Sequence, residues 1–147
     1  MIEIFDISYA EVEIIRDLWE KNRRYHEDSS EYLKKSYSTI KFDERIKVFS
    51  SYSEDKIKIS VVKEKEKYIG YCISIIDGNK GELGTLHVDE AKRGNGIGKK
   101  LVEKHIEWMN GEKCCEIGVT VSQENNLAIG FYKKLGLYPN TLYMQMK

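Results

Sequence analysis

Hydrophobic residues fall along this chain in two periods, and the switches between them mark its elements. Ile2, Ile4 and Phe5 in the run Ile2-Glu3-Ile4-Phe5 predict a first strand over 2–5. From Ser8 the spacing becomes helical: Val12, Ile15, Leu18, Trp19 and Asn22 share one side, and Ser8-Tyr9-Ala10-Glu11 is a capping-box pattern at the start. A helix to about His26 follows. Residues 30–53 hold Leu33, Tyr37, Ile40, Ile46 and Phe49 among many charges, which predicts one broken or two short helices rather than strand. Ile57, Ile59 and Val61 then alternate with Lys58 and Ser60. Glu64-Lys65-Glu66-Lys67 makes a charged turn into YIGYCISIID (68–77), so two antiparallel strands are expected. A glycine turn at 77–81 leads to a third strand, ELGTLHV (82–88).

Beyond it Ile97, Leu101, Val102, Ile106 and Met109 recur at helical spacing, and EIGVTV (116–121) reads as strand. A second helix covers about 126–135 and stops at Gly136, and TLYMQMK (141–147) reads as a last strand. Helices enter between strands instead of gathering at one end, and no repeat or linker interrupts them. The prediction is one α/β domain over 1–147, a mixed, mostly antiparallel sheet flanked by helices.

Composition narrows the function. Lysine plus arginine (24) equal aspartate plus glutamate (24), so the basic excess of a dedicated nucleic-acid binder is missing and no nucleic-acid partner is expected. The three cysteines, Cys72, Cys114 and Cys115, have neither C-x-x-C nor a nearby histidine pair. They read as reduced thiols of a cytoplasmic protein, with no metal expected. The N-terminus lacks the basic and apolar regions of a signal peptide, and no run of ~18 apolar residues suggests a membrane span.

The chemistry sits in KRGNGIG (92–98). A P-loop would need serine or threonine after Gly98-Lys99, where Lys100 stands, and glycine where Arg93 stands. A dinucleotide fingerprint fails as well, because the glycines fall at 94, 96 and 98 and follow an antiparallel meander. What remains is a strand, Arg93, then alternating glycines at a helix N-terminus, where N–H groups and the helix dipole favour an anion such as a pyrophosphate. A plain tight turn is the alternative.

LHVDEAKRGNGIGKKLVEKHIEWM resembles the acetyl-CoA-binding motif of the GNAT superfamily of N-acetyltransferases, with the [RQ]-x-x-G-x-[GA] core at Arg93-Gly94-Asn95-Gly96-Ile97-Gly98. ENNLAIGFYKKLGLYP is similar to that family's second motif, at Asn125, Ala128, Phe131, Tyr132, Lys134, Gly136 and Leu137. The resemblance covers roughly 57–138 and implies a GNAT fold, acetyl-CoA as acetyl donor and an amine as acceptor. It implies that the main chain of Leu86 and Val88 holds the pantetheine arm, with the N–H at about Val88 polarising the thioester carbonyl. Residues 93–98 would take the pyrophosphate, Lys99, Lys100 or Lys134 would approach the 3′-phosphate, and Asn125 would bond the cofactor arm. The plainer alternatives are solvated lysines and a helix-capping asparagine.

Two proton carriers are implied in the same way. Glu82, six residues before Val88, stands where the family often places a carboxylate base, although it could equally cap the turn after Gly81. His87 is the second candidate base, because histidine titrates near neutrality, although its alternation with Leu86 and Val88 points to a packed position or the opposite face. Tyr132 matches the acid that protonates the departing thiolate; packed beside Phe131 it could instead be a core aromatic. The acceptor is sought in 8–53, where Asp17, Trp19, Glu20, Tyr25, Glu27, Asp28, Tyr32 and Tyr37 would suit a small cation such as a polyamine or aminoglycoside. A peptide amine is the enzymatic alternative, and a silent acyl-CoA-binding module the non-enzymatic one. Finally, the family closes with two strands where this chain has room for one, so an exposed last strand with Leu142, Met144 and Met146 on one face suggests a homodimer.

Overall fold

The computed structural model describes residues 1–31 and 33–146. Five strands lie in one sheet in chain order. β1 (Ile2–Ile7), β2 (Ile57–Glu64), β3 (Lys67–Asp77) and β4 (Lys80–Val88) are antiparallel in turn, and β5 (Glu116–Val119) runs parallel to β4. The mixed, mostly antiparallel sheet expected from the alternating runs is therefore present.

Glu11 accepts hydrogen bonds from the Ser8 N–H and hydroxyl, both at 3.1 Å, so the start predicted at Ser8 holds. The first turns, Tyr9–Ile15, are 3-10 rather than α. Three β-branched residues there, Val12, Ile14 and Ile15, lose rotamer freedom in an α-helix. α1 (Arg16–Ser29) continues from them, followed by two short helices, α2 (Lys34–Ser38) and α3 (Phe42–Ile46). Tyr32 lies outside the described residues. α4 (Ile97–Gly111) and α5 (Asn126–Lys134) complete the chain's helices among the described residues.

Strand alternation splits the core into two layers. Val62, Cys72 and Leu83 pack with Leu101 and Met109 of α4, whereas Val61, Tyr71 and Ile73 pack with Ile15, Trp19 and Phe42 on the α1 side. Three polar side chains meet within the first layer. His105 of α4 is fully buried, with Nδ1 2.6 Å from Ser74 Oγ and Nε2 2.9 Å from Ser60 Oγ. Burial, with help from the Lys58 charge, holds its pKa down to about 3.

The end of the chain departs from the sequence reading. Residues 141–146 form no strand, Leu137 and Tyr138 form no bridge, and Lys147 lies outside the described residues. Gly136 turns the chain at φ 95°, Pro139 offers no N–H, and the edge strand β5 is only four residues long. With so short a ladder to join, the tail forms no strand and exposes Leu142, Tyr143, Met144 and Met146.

Candidate active site

The site begins with a bulge. Ile73 faces Thr85 and Ser74 faces Leu83, so Gly84 is an extra residue in β4. A Cβ on Gly84 would stand 3.1 Å from the Ile73 carbonyl and 3.2 Å from the Phe49 ring, which is why glycine occupies the bulge. β5 pairs with β4 only from Lys80 to Leu83, so the edge of β4 from Gly84 to Val88 is open on that side.

Register fixes what that edge presents. Asp89 N–H donates to the Ile69 carbonyl at 2.8 Å, which makes Gly70 and Val88 a non-hydrogen-bonded pair. By alternation Leu86 and Cys72 are another. The N–H and C=O groups of Leu86 and Val88 therefore point away from β3, into the gap that β5 leaves. The Val88 carbonyl there accepts from Arg93 Nε at 2.8 Å.

At the end of this edge the chain passes Arg93 and enters α4. Gly94 (φ 84°) and Gly96 (φ 79°) are left-handed, and a Cβ on either would meet no atom within 4 Å. Their need for glycine is conformational, and the space above them is empty. Lys100 N–H is the first to bond within the helix, to the Gly96 carbonyl, so the N–H groups of Ile97, Gly98 and Lys99 are turned toward the loop without helical partners. Gly98 is different: a Cβ there would stand 3.4 Å from the Phe131 ring, so it seats α4 against α5. Asn95 Nδ2 donates to the Lys92 carbonyl, Ile97 is buried, and Lys99, Lys100 and Lys134 are exposed.

The two expected proton carriers lie on opposite faces of the sheet. Leu83, Leu86 and Val88 pack toward α4 and α5. Glu82 and Gly84 alternate onto the other face, where Phe49 lies, and past the bulge Thr85 and His87 do as well. Glu82 is half-buried, and among the described residues its side chain makes no hydrogen bond or ion pair. Tyr132 packs against the α4-side core, its ring 5.0 Å from Phe131. Burial, and then the nearby Cys72, raise its pKa above the ordinary phenol range, so it carries its proton at neutral pH. Asn125 caps α5, with Oδ1 accepting from Ala128 N–H at 3.0 Å.

His87 is 5% exposed, and its Nε2 has no hydrogen-bond partner, the nearest carboxylate oxygen being Asp89 Oδ1 at 3.9 Å. Burial, then the Arg93 charge, lower its pKa to about 4. So weak a base is poorly matched to an ammonium group.

α1 forms the opposite wall. A cleft of about 310 Å³ between α1 and the end of β4 is lined by Lys21, Arg24, Tyr25, His87, Asp89 and Arg93 among others. Nearer α5, Glu124 accepts from Ser30 Oγ at 2.7 Å and from Glu31 N–H at 2.8 Å, tying the end of α1 to the turn before Asn125. The acids of α1 and of the 3-10 stretch before it are fewer in effect than in number, since Glu13 pairs with Arg16, and Glu20 and Glu27 with Arg23. Neither Tyr25 nor Ser30 and Glu124 carries a motif, so no sequence pattern marked them as neighbours of the glycine loop. Among the described residues no group of three or more His, Cys, Asp or Glu side chains could hold a metal ion.

Comparison with known proteins agrees with this architecture. Residues 13–137 match the acetyltransferase (GNAT) family. The peptidyl-lysine N-acetyltransferase YjaB of Salmonella typhimurium is 26% identical over 136 residues, covering 92% of this chain and 83% of that protein. N-alpha-acetyltransferase 30 of Saccharomyces cerevisiae is 42% identical, but over 57 residues only, 39% of this chain and 32% of that protein. Among solved structures, the aminoglycoside N-acetyltransferase AAC(6')-Iy in complex with CoA superposes with a TM-score of 0.74 at 14% identity, covering 100% of this chain and 94% of that one. The chain belongs to the GNAT family of N-acetyltransferases and is an acyltransferase enzyme.

Proposed function

We propose that the protein transfers the acetyl group of acetyl-CoA to a primary amine of a small molecule, of polyamine or aminoglycoside kind, by direct attack. The open edge of β4 beside the glycine loop carries this reading. Leu86 and Val88 can take the pantetheine arm there as an added strand. The amides of residues 94–99 can take the pyrophosphate, with Arg93 adding charge and Asn125 reaching the arm through the Nδ2 that capping leaves free. Acetyl-CoA supplies an acyl group already activated as a thioester; the rest is asked of the chain.

An amine with a pKa near ~10 reaches the site as ammonium, so a proton must leave before nitrogen can attack. Glu82 takes it, on the α1 face of β4. The Val88 N–H, turned into the gap, polarises the carbonyl under attack. Tyr132, on the other face and protonated at neutral pH as any phenol is, gives its proton to the departing sulfur. Base and acid thus serve one edge from opposite sides of the sheet.

For the acceptor, Asp28 lines the α1 cleft without an ion pair among the described residues, which supports a cationic small molecule. Peptide lysine is the second reading, favoured by the pairing of Glu13, Glu20 and Glu27 and by the relative that covers 92% of the chain. Thiol release from acetyl-CoA, followed against polyamines, aminoglycosides and lysine peptides, tests both. Turnover with the small amines is expected; turnover with peptides alone moves the acceptor to the second reading, and acetyl-CoA binding without turnover on any amine leaves a silent binding module.

The three free thiols fit a cytoplasmic setting. The exposed apolar tail supports a homodimer, and sedimentation at micromolar concentration showing only a 17.2 kDa species would exclude it.

A further inference from the structure

We infer that Tyr25 of α1 is a positioning residue for the donor loop, acting through Arg93. The inference rests on the reading that this loop takes acyl-CoA, and it adds a part of the molecule that neither motif contains.

Arg93 occupies an unusual position. It follows the short 3-10 turn Glu90–Lys92 and precedes two left-handed glycines, so its backbone has little regular structure to hold it. Two contacts fix its side chain. Nε donates to the Val88 carbonyl on the open edge, and the guanidinium lies 4.9 Å from the centroid of the Tyr25 ring. One side chain therefore joins α1, the end of β4 and the start of the loop.

The division of labour within Arg93 gives the ring its role. With Nε committed to Val88, the Nη groups remain for an anion, and among the described residues they make no ion pair. A planar guanidinium stacked on an aromatic face keeps its edge free to donate while its orientation is restricted. Without the ring, Arg93 would have to be ordered when the ligand arrives, and affinity would fall by the cost of that ordering. His26 and His87 are both close enough to feel the Arg93 charge, which lowers their pKa values after burial has done so. Tyr25 itself makes no hydrogen bond through its hydroxyl among the described residues, so the ring and not the phenol is the functional part.

The effect belongs to donor binding rather than to the chemical step, because Tyr25 touches Arg93 and not the reacting atoms. Acetyl-CoA binding by calorimetry, with kcat and KM from the thiol-release assay, is measured for the wild type, Tyr25→Phe, Tyr25→Leu, Arg93→Ala and the Tyr25→Leu/Arg93→Ala double variant. Tyr25→Leu keeps apolar volume and removes the π face, so folding is preserved; thermal unfolding checks this. The expected result is a Kd and KM for acetyl-CoA about threefold to tenfold higher in Tyr25→Leu, in the range of a partly exposed cation–π contact. Tyr25→Phe restores affinity. In the Arg93→Ala background Tyr25→Leu has no further effect, since the two residues act as one unit.

Wild-type affinity in Tyr25→Leu, an equal loss in Tyr25→Phe, or the same loss with and without Arg93 would each overturn the inference. A wild type that binds no acetyl-CoA would instead remove the underlying reading of the loop.

Discussion

Glu82 and Tyr132 differ in what the chain does for them. Glu82 is left half-buried without a side-chain partner among the described residues, whereas Tyr132 is packed into the α4-side core, which raises its pKa. Their variants should differ in kind. Glu82→Gln keeps shape and removes the base, so turnover should fall at neutral pH and recover in part as pH approaches the pKa of the amine, when solvent accepts the proton. Tyr132→Phe should lose about 10²-fold in turnover with no alkaline rescue, because an acid is missing. Steady-state pH profiles of both variants check this; a wild-type profile at wild-type rate in Glu82→Gln would return Glu82 to a turn residue. His87 shows the limit of reading single residues. Its chemical type made it a candidate base and its alternation with Leu86 and Val88 pointed to packing, but the Arg93 charge beside it was set by the fold.

Among elements, the loop and start of α4 carry the sharpest expectation. At φ 79° Gly96 holds a conformation that a β-branched residue adopts only with strain. Gly96→Val should cost about 1–2 kcal/mol of stability and abolish acetyl-CoA binding, because the new side chain fills the empty space over the N–H groups. Unchanged affinity in a folded Gly96→Val protein would remove the pyrophosphate assignment. At α5, Asn125→Ser keeps a cap acceptor for Ala128 N–H and removes the amide donor. If Asn125 bonds the cofactor arm, the melting temperature should hold while acetyl-CoA affinity drops; equal affinity would leave it a cap. The glycines were legible because backbone conformation is written into residue type. The open edge they adjoin was not, since it arises from a bulge at Gly84 and from where β5 stops.

At the scale of the whole molecule, the α4-side layer of the core encloses a buried imidazole. His105 has a folded pKa near 3 against an ordinary value near 6.5, so below pH 6.5 the unfolded chain binds the proton that the folded chain refuses. Stability is fully present above that pH and falls as pH drops toward the folded value, by about 3 kcal/mol between pH 6.5 and 4 from this group. Asp6 follows the carboxylate pattern. Burial works to raise its pKa, but hydrogen bonds from Lys58, Ser60 and Lys104 outweigh it and bring it to about 2. Its contribution is lost only below the ordinary carboxylate range. Denaturant unfolding across pH 4–7 should therefore show a slope in the wild type that flattens in His105→Gln. An equal slope in both would assign the acid sensitivity elsewhere.

The strands of the meander, the two long helices and the glycine loop could be read from the sequence because each depends on local rules: alternation of two, a 3.6-residue period, and the tolerance of glycine for positive φ. The family motifs at 93–98 and 125–137 follow the same logic, since close backbone approach leaves little choice of residue. What depended on distance along the chain was decided by the fold. The tail from Pro139 has the alternation of a strand, yet strand formation needs a partner edge, and β5 offers only four residues. Tyr25 and Arg93 are 68 positions apart, as are Lys21 and Asp89, while Ser30 and Glu124 are 94 apart. Those meetings, which turn a glycine loop and a bulged strand into a walled site, come from packing two layers on one sheet. No periodicity in the chain encodes them.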